Sequence, residues 1–118
     1  MNTEPLKVTL YPPTYAYTQA VNSLGKPLAL DPNNPVRGAS RIDKVVWSVD
    51  PLGVVGFVTN PINPAEVCLT PIQPGTCELR VSGVCGFLKS SETFPLEGKR
   101  TLIVETADEP AALDIVKR

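Results

Sequence analysis

The sequence predicts an all-β chain folded as an antiparallel sandwich of about seven short strands. Three observations carry that prediction. Apolar and polar residues alternate with a period of two in one window after another. Thirteen prolines leave no room for a long helix before residue 75, because each removes a donor and disfavours helix at the residue before it. Leu, Ile, Val and Phe number 34 of the 118 residues, about 29%, well above the roughly 20% below which chains tend to stay disordered. At this length one domain with a single core is expected.

The elements follow in order. Residues 6–10 (LKVTL) set Leu6, Val8 and Leu10 on one face and Lys7 and Thr9 on the other. Residues 11–25 contain Pro12-Pro13 and read as a broken or sheet-switching first strand. The windows 27–31 (PLALD), 54–59 (VVGFVT) and 65–70 (AEVCLT) are weaker strand candidates. Between the first two, residues 44–50 (KVVWSVD) point Val45, Trp47 and Val49 inward and Lys44, Ser48 and Asp50 outward. Residues 76–82 (TCELRVS) alternate most cleanly, with Cys77, Leu79 and Val81 inward. Residues 100–105 (RTLIVE) carry three consecutive apolar residues, as a strand covered on both faces would. Outward polar positions elsewhere favour sheets with one wet face. The C-terminal EPAALDIVKR fits either a short helix starting at Pro110 or an extended tail.

Composition narrows the chemistry. There is no histidine, which removes the commonest general base and zinc ligand. The carboxylates do not pair: Asp43 lies between Arg41 and Lys44, and Asp108-Glu109 sits in a polar stretch. The formal net charge is −1 and the basic residues are scattered, without the stripe that nucleic acid needs. No apolar run reaches the roughly 18 residues of a membrane span, and the start lacks the pattern of a signal peptide. The expectation is therefore a protein that stays where it is made, or a piece of something longer. Cys68, Cys77 and Cys85 are odd in number and are expected as reduced, mostly buried thiols; their spacing suits no zinc site. No enzyme activity, cofactor or metal is expected.

Trp47, the sole tryptophan, has two readings: the pin between two sheets, or an exposed platform for a ligand. The pin is the reading adopted, with Val45, Trp47, Val49, Cys77, Leu79 and Val81 as core.

Around that strand the sequence resembles a known family. Trp47, Ser48 and Asp50, then Phe57-Val58-Thr59, then Pro74-Gly75-Thr76 leading on to Val81, and the closing RTLIVE strand are similar to the bacterial immunoglobulin-like domains of group 2. These occur in intimin- and invasin-like adhesins and in virion proteins of tailed phages. The likeness covers about residues 5–106 and is most specific over 45–83. It departs from the family in a long loop before Trp47 and in VCGFLKSSETFPLEG, residues 84–98. The resemblance implies an immunoglobulin-like sandwich with Greek-key connections over residues 1–106, its first 20 residues partly irregular, and a tail at 107–118. It lacks a cysteine opposite Cys77, so Leu28 or Leu30 is expected to pack there. By the same resemblance the expected function is a structural protein of a bacteriophage virion, decorating a capsid or serving a tail. It would be made in the host cytoplasm and act through contacts with other virion proteins or its own copies, without nucleic acid or membrane. The alternative is a module of a bacterial surface adhesin. Tyr11, Tyr15 and Tyr17, with Leu113, Ile115 and Val116, are the candidate contact residues, since tyrosine joins an apolar body to a hydrogen-bonding tip. The tyrosines could equally cover the sandwich edge.

Overall fold

The computed structural model describes residues 4–10, 12–28, 40–106, 110 and 112–118. Seven strands form: β1 (Leu6–Thr9), β2 (Thr14–Tyr17), β3 (Ser40–Asp50), β4 (Val55–Thr59), β5 (Glu66–Pro71), β6 (Gly75–Phe87) and β7 (Ser90–Glu105). They make a four-stranded sheet in the order β1-β7-β6-β3 and a three-stranded sheet in the order β2-β5-β4. The chain is all-β, with two sheets as in a β-sandwich, and the described residues contain no helix.

β6 is the axis of the larger sheet, bonded to β3 on one side and β7 on the other. Its period-two pattern turns Cys77 and Leu79 into a buried core shared with Val8, Trp47, Val49, Leu102 and Val104. The smaller sheet closes that core with Val55, Val67 and Leu69. Val45 and Val81 are partly buried and pack against it. Trp47 is 6% exposed, and its ring N–H donates to the Pro64 carbonyl at 2.9 Å, so the indole's one polar atom is satisfied where it is buried.

The pair Pro12-Pro13 marks a change of sheet. β1 lies beside β7, while β2, four residues later, pairs with β5 in the other sheet. Within the described part of the first 20 residues, only Leu6–Thr9 and Thr14–Tyr17 are strands. The sandwich is also not wholly antiparallel, since β1 runs parallel to β7. No hairpin joins those two strands, so nothing local imposes an antiparallel direction.

β3, β6 and β7 run beyond the sequence-predicted windows. Residues 84–98, expected as a loop, form most of the outer half of a β6–β7 hairpin, and β3 follows it as far as Ser40. Between Asp43 and Val46 the β3 register shifts by one, so Lys44 and Val45 face the single residue Gly83, a β-bulge. Lys44 sits at φ 54°. The bulge moves the inward parity from Val45, Trp47 and Val49 to Ile42, and the apolar face stays continuous. A Cβ on Gly83 would stand 2.7 Å from Ile42 Cγ2, so the crossing requires glycine.

Under this outer half lies a second cluster: Ala20, Cys85 and Phe87, with Leu28 and Ile42 packed against it. The position expected of Leu28, opposite Cys77, is corrected: its long-range neighbours are Cys85 and Phe87. Pro27 makes only an isolated bridge with Val21, so a strand over 27–31 is not formed as far as Leu28, and Leu30 lies outside the described residues. Of the two alternatives for the C-terminus, the helix is not formed over residues 112–118, which have no regular structure. With Leu113, Ile115 and Val116 exposed, a helix there would have no apolar face to bury, and isolated helices this short are marginal in water. The radius of gyration is 18.3 Å, against about 13–14 Å for a compact chain of this length.

Replacing Trp47 by Ala should cost about 3–5 kcal/mol, a large part of a domain's usual stability; denaturant unfolding measures it. Gly83→Ala should cost about 1–3 kcal/mol through overpacking against Ile42, with a lowered denaturation midpoint as the readout.

Candidate protein-contact surface

The two sheets present very different outer faces. On the four-stranded sheet, outward positions carry charges of both signs. Lys7 pairs with Glu105 at 3.9 Å, and Arg80 lies 3.6 Å from Asp50 while donating to Glu78. That hydrogen bond, aided by the charges of Arg80 and Lys99, holds the Glu78 carboxyl below its usual range. This is a solvated, ion-paired face of the kind that contributes little to binding.

The outer face of the three-stranded sheet is nearly free of charge. The middle strand brings Cys68 opposite Tyr15 on one side and Val58 on the other, so one row across the sheet reads Tyr15, Cys68, Val58. Tyr17 stands opposite Glu66, the one ionisable carboxylate of this face. Ile72 leans over Gly56, its Cδ1 3.8 Å from where a Cβ would be. Tyr15 and Tyr17 are 70% and 69% exposed; they stand on the sheet's outer surface and do not cover the core. Val58 and Ile72 are exposed as well. Contact surfaces combine these features, tyrosine enriched and charge depleted.

The remaining candidates fall elsewhere. Tyr11 lies outside the described residues. Leu113, Ile115 and Val116 are exposed in a tail without regular structure. Sequence reasoning missed Val58, Cys68 and Ile72; the signal was present in the apolar residues on both parities of VVGFVT, which one buried face cannot absorb.

A shallow cleft of about 460 Å³ on the hairpin is lined by Lys44, Ser82, Gly83, Pro95 and Glu97 among others. A smaller one, about 170 Å³, lies among Val21, Leu28, Cys85, Phe87, Phe94 and Leu96 and is apolar; Phe87 and Phe94 meet there edge to face, centroids 6.2 Å apart. Among the described residues no group of three or more His, Cys, Asp or Glu is placed to hold a metal, and no helix is long and apolar enough to cross a membrane. All three cysteines are free.

Fold and surface together define an all-β, two-sheet protein whose distinguishing feature is a sheet face with a single charged residue, Glu66. No protein-family model matches the chain, and no curated protein or solved structure is similar to it.

Burial pushes the thiols of Cys77 and Cys85 above their ordinary value, whereas Cys68 opens onto the sheet face. Iodoacetamide should therefore modify Cys68 first in the native protein, and the other two only on unfolding; peptide mapping checks the order. The sign for stability follows. The unfolded chain ionises Cys77 and Cys85 at lower pH than the folded one, so their contribution is complete below the ordinary thiol range and declines as pH rises through it.

Proposed function

We propose that this chain is a non-enzymatic structural protein of a bacteriophage virion, a capsid-decorating or tail-accessory subunit that works through protein–protein contacts. The observation that carries the contact reading is the outer face of Tyr15, Tyr17, Val58 and Cys68, where Glu66 is the one charged side chain, set against an ion-paired face on the other sheet. An exposed apolar surface of this kind is costly to leave in water and marks interaction sites.

The immunoglobulin-like reading draws support from strand order. If β2 to β7 take the letters B to G, one sheet groups C, F and G and the other B, E and D, the grouping of immunoglobulin sandwiches. Trp47 then stands on strand C, where such domains carry a buried tryptophan. The virion reading draws on the resemblance of residues 45–83 to bacterial immunoglobulin-like domains, some of which belong to tailed-phage particles. Free thiols suit assembly in a reducing host cytoplasm. Fold alone does not determine function, so the particle is where the reading is tested.

Mass spectrometry of intact particles from the protein's source should find it in fixed ratio to the major structural subunits. Its absence from particles, or its recovery in a bacterial envelope fraction as an adhesin module, overturns the reading. The double variant Tyr15→Glu, Tyr17→Glu should melt close to the parent, because both side chains are exposed. Its binding to particles should fall by about tenfold or more, the equivalent of about 1.4 kcal/mol.

A further inference from the structure

The open strand edges of this protein are not alike. In a strand, the N–H and C=O of one residue point to the same side and alternate along the chain, so one bond fixes the rest. The Glu105 carbonyl accepts from Leu10 N–H, so odd-numbered residues of β7 face β1. The β6–β7 register is continuous from Thr93 to Val104, and β1 covers only Leu102–Glu105. From Thr93 to Lys99 the odd residues therefore face an edge with no strand beside it among the described residues, and Pro95 places there a position that cannot donate. β2 bonds β5 through its even residues, as Thr18 N–H to the Ala65 carbonyl shows, so Pro13 faces its open side. β3 carries the Lys44 bulge, and β1 carries Lys7 between Pro5 and Pro12. Proline, bulges and lysine are the devices that keep sheet edges from pairing.

β4 has none of them. Val54 accepts from Ile72 N–H, and Asn60 donates to the Glu66 carbonyl, so even residues face β5. Val55, Phe57 and Thr59 then turn their N–H and C=O groups outward. No strand lies on that side among the described residues. The edge is uncharged, and Phe57, only partly buried against the core, leaves the apolar layer open beside it.

The same chain carries a segment suited to that edge. Residues 112–118 (ALDIVKR) have no regular structure and lie in no sheet, with Leu113 100% and Ile115 97% exposed. Ile115 and Val116 are β-branched and favour strands. At about 3.3 Å per residue the segment spans roughly 23 Å, enough to cover five-residue β4. Added as a strand, it would set Leu113 and Ile115 in line with the inward row of Val55 and Phe57, and Val116 on the side of Val58. The outer edge of its own β4 has no strand beside it among the described residues, and the tail lies in no sheet, so the pairing that satisfies both is between copies.

We propose that residues 112–118 of one copy add as an edge strand to β4 of a second copy, giving head-to-tail self-association. The inference rests on the protein-contact reading of the tail above, and is independent of the virion assignment. Such a contact is heterologous and closes to a ring or continues as a filament.

Sedimentation of the full-length protein over rising concentration tests it. The parent should exceed its 12.7 kDa monomer mass as concentration increases. Thr59→Pro, which removes an outward N–H and spares the β5 ladder, should stay monomeric. Ile115→Asp, which spoils the donor, should stay monomeric too. Mixed one to one, the two variants should pair into a species of two chains and stop there, since one acceptor and one donor remain intact. A parent that is monomeric throughout overturns the proposal. So does a parent that associates while the mixed variants do not, the result expected if the tail folds back on its own chain. Should Thr59→Pro fail to fold, amide exchange in the parent decides: Phe57 and Thr59 must become protected on association while Val58 is protected throughout, and fast exchange at both overturns it.

Discussion

The structure depends on the alternation of β6. Thirteen residues from Gly75 to Phe87 keep one parity inward, and both apolar clusters are built on that parity. Cys77 and Leu79 belong to the main core, while Cys85 and Phe87 belong to the second. Because β6 is bonded on both sides, it also fixes the register of β3 and β7, and a one-residue slip would turn its whole apolar set to solvent. The bulge at Lys44 and the glycine at position 83 are consequences: β3 must change parity there for Ile42 and Trp47 to face the same way. Trp47, capped by the Pro64 carbonyl, ties this sheet to the turn that joins β4 and β5.

That frame separates two kinds of surface. On the larger sheet the outward parity of β6 carries Glu78 and Arg80, and its neighbours supply Asp50, Lys7 and Glu105, a face laced with ion pairs and content in water. On the smaller sheet the outward parity carries tyrosine, valine, cysteine and threonine, with Glu66 as its one charge. Nothing in the core requires the second composition, since outward positions are free of packing. The edges show the same division: Pro13, Lys44 and Pro95 occupy outward-facing or bulged positions, where they block pairing without breaking a ladder, and β4 is left bare. Exposed tyrosine and apolar side chains and the unguarded edge are thus found together on the smaller sheet.

Much of the fold was legible because strand alternation is a local signal. Windows around Leu6, Trp47, Leu79 and Leu102 contain their own evidence, and Pro12-Pro13 announced the change of sheet. The outer hairpin was not legible, for a physical reason. Gly83, Gly86, Pro95 and Gly98 are loop signals in isolation, yet Gly83 serves a close crossing and Pro95 an open edge, both of which depend on strands distant in sequence. Leu28 was misplaced for the same reason, its partners Cys85 and Phe87 being more than 50 residues away. The contact surface was half legible: Tyr15 and Tyr17 stand out by residue type, but Val58 and Cys68 look like core until the neighbouring strands show which way they point.

The register of the larger sheet is the claim on which the rest stands, and amide hydrogen exchange followed by NMR tests it most directly. β6 should be slow at both parities from Glu78 to Ser82, since β3 and β7 flank it. Along the open part of β7 the pattern should alternate, with Phe94, Leu96, Gly98 and Arg100 slow and Thr93, Glu97 and Lys99 fast. Uniform exchange along this stretch, or protection on the odd residues, would contradict the hairpin register and with it the two faces and the guarded edges described here.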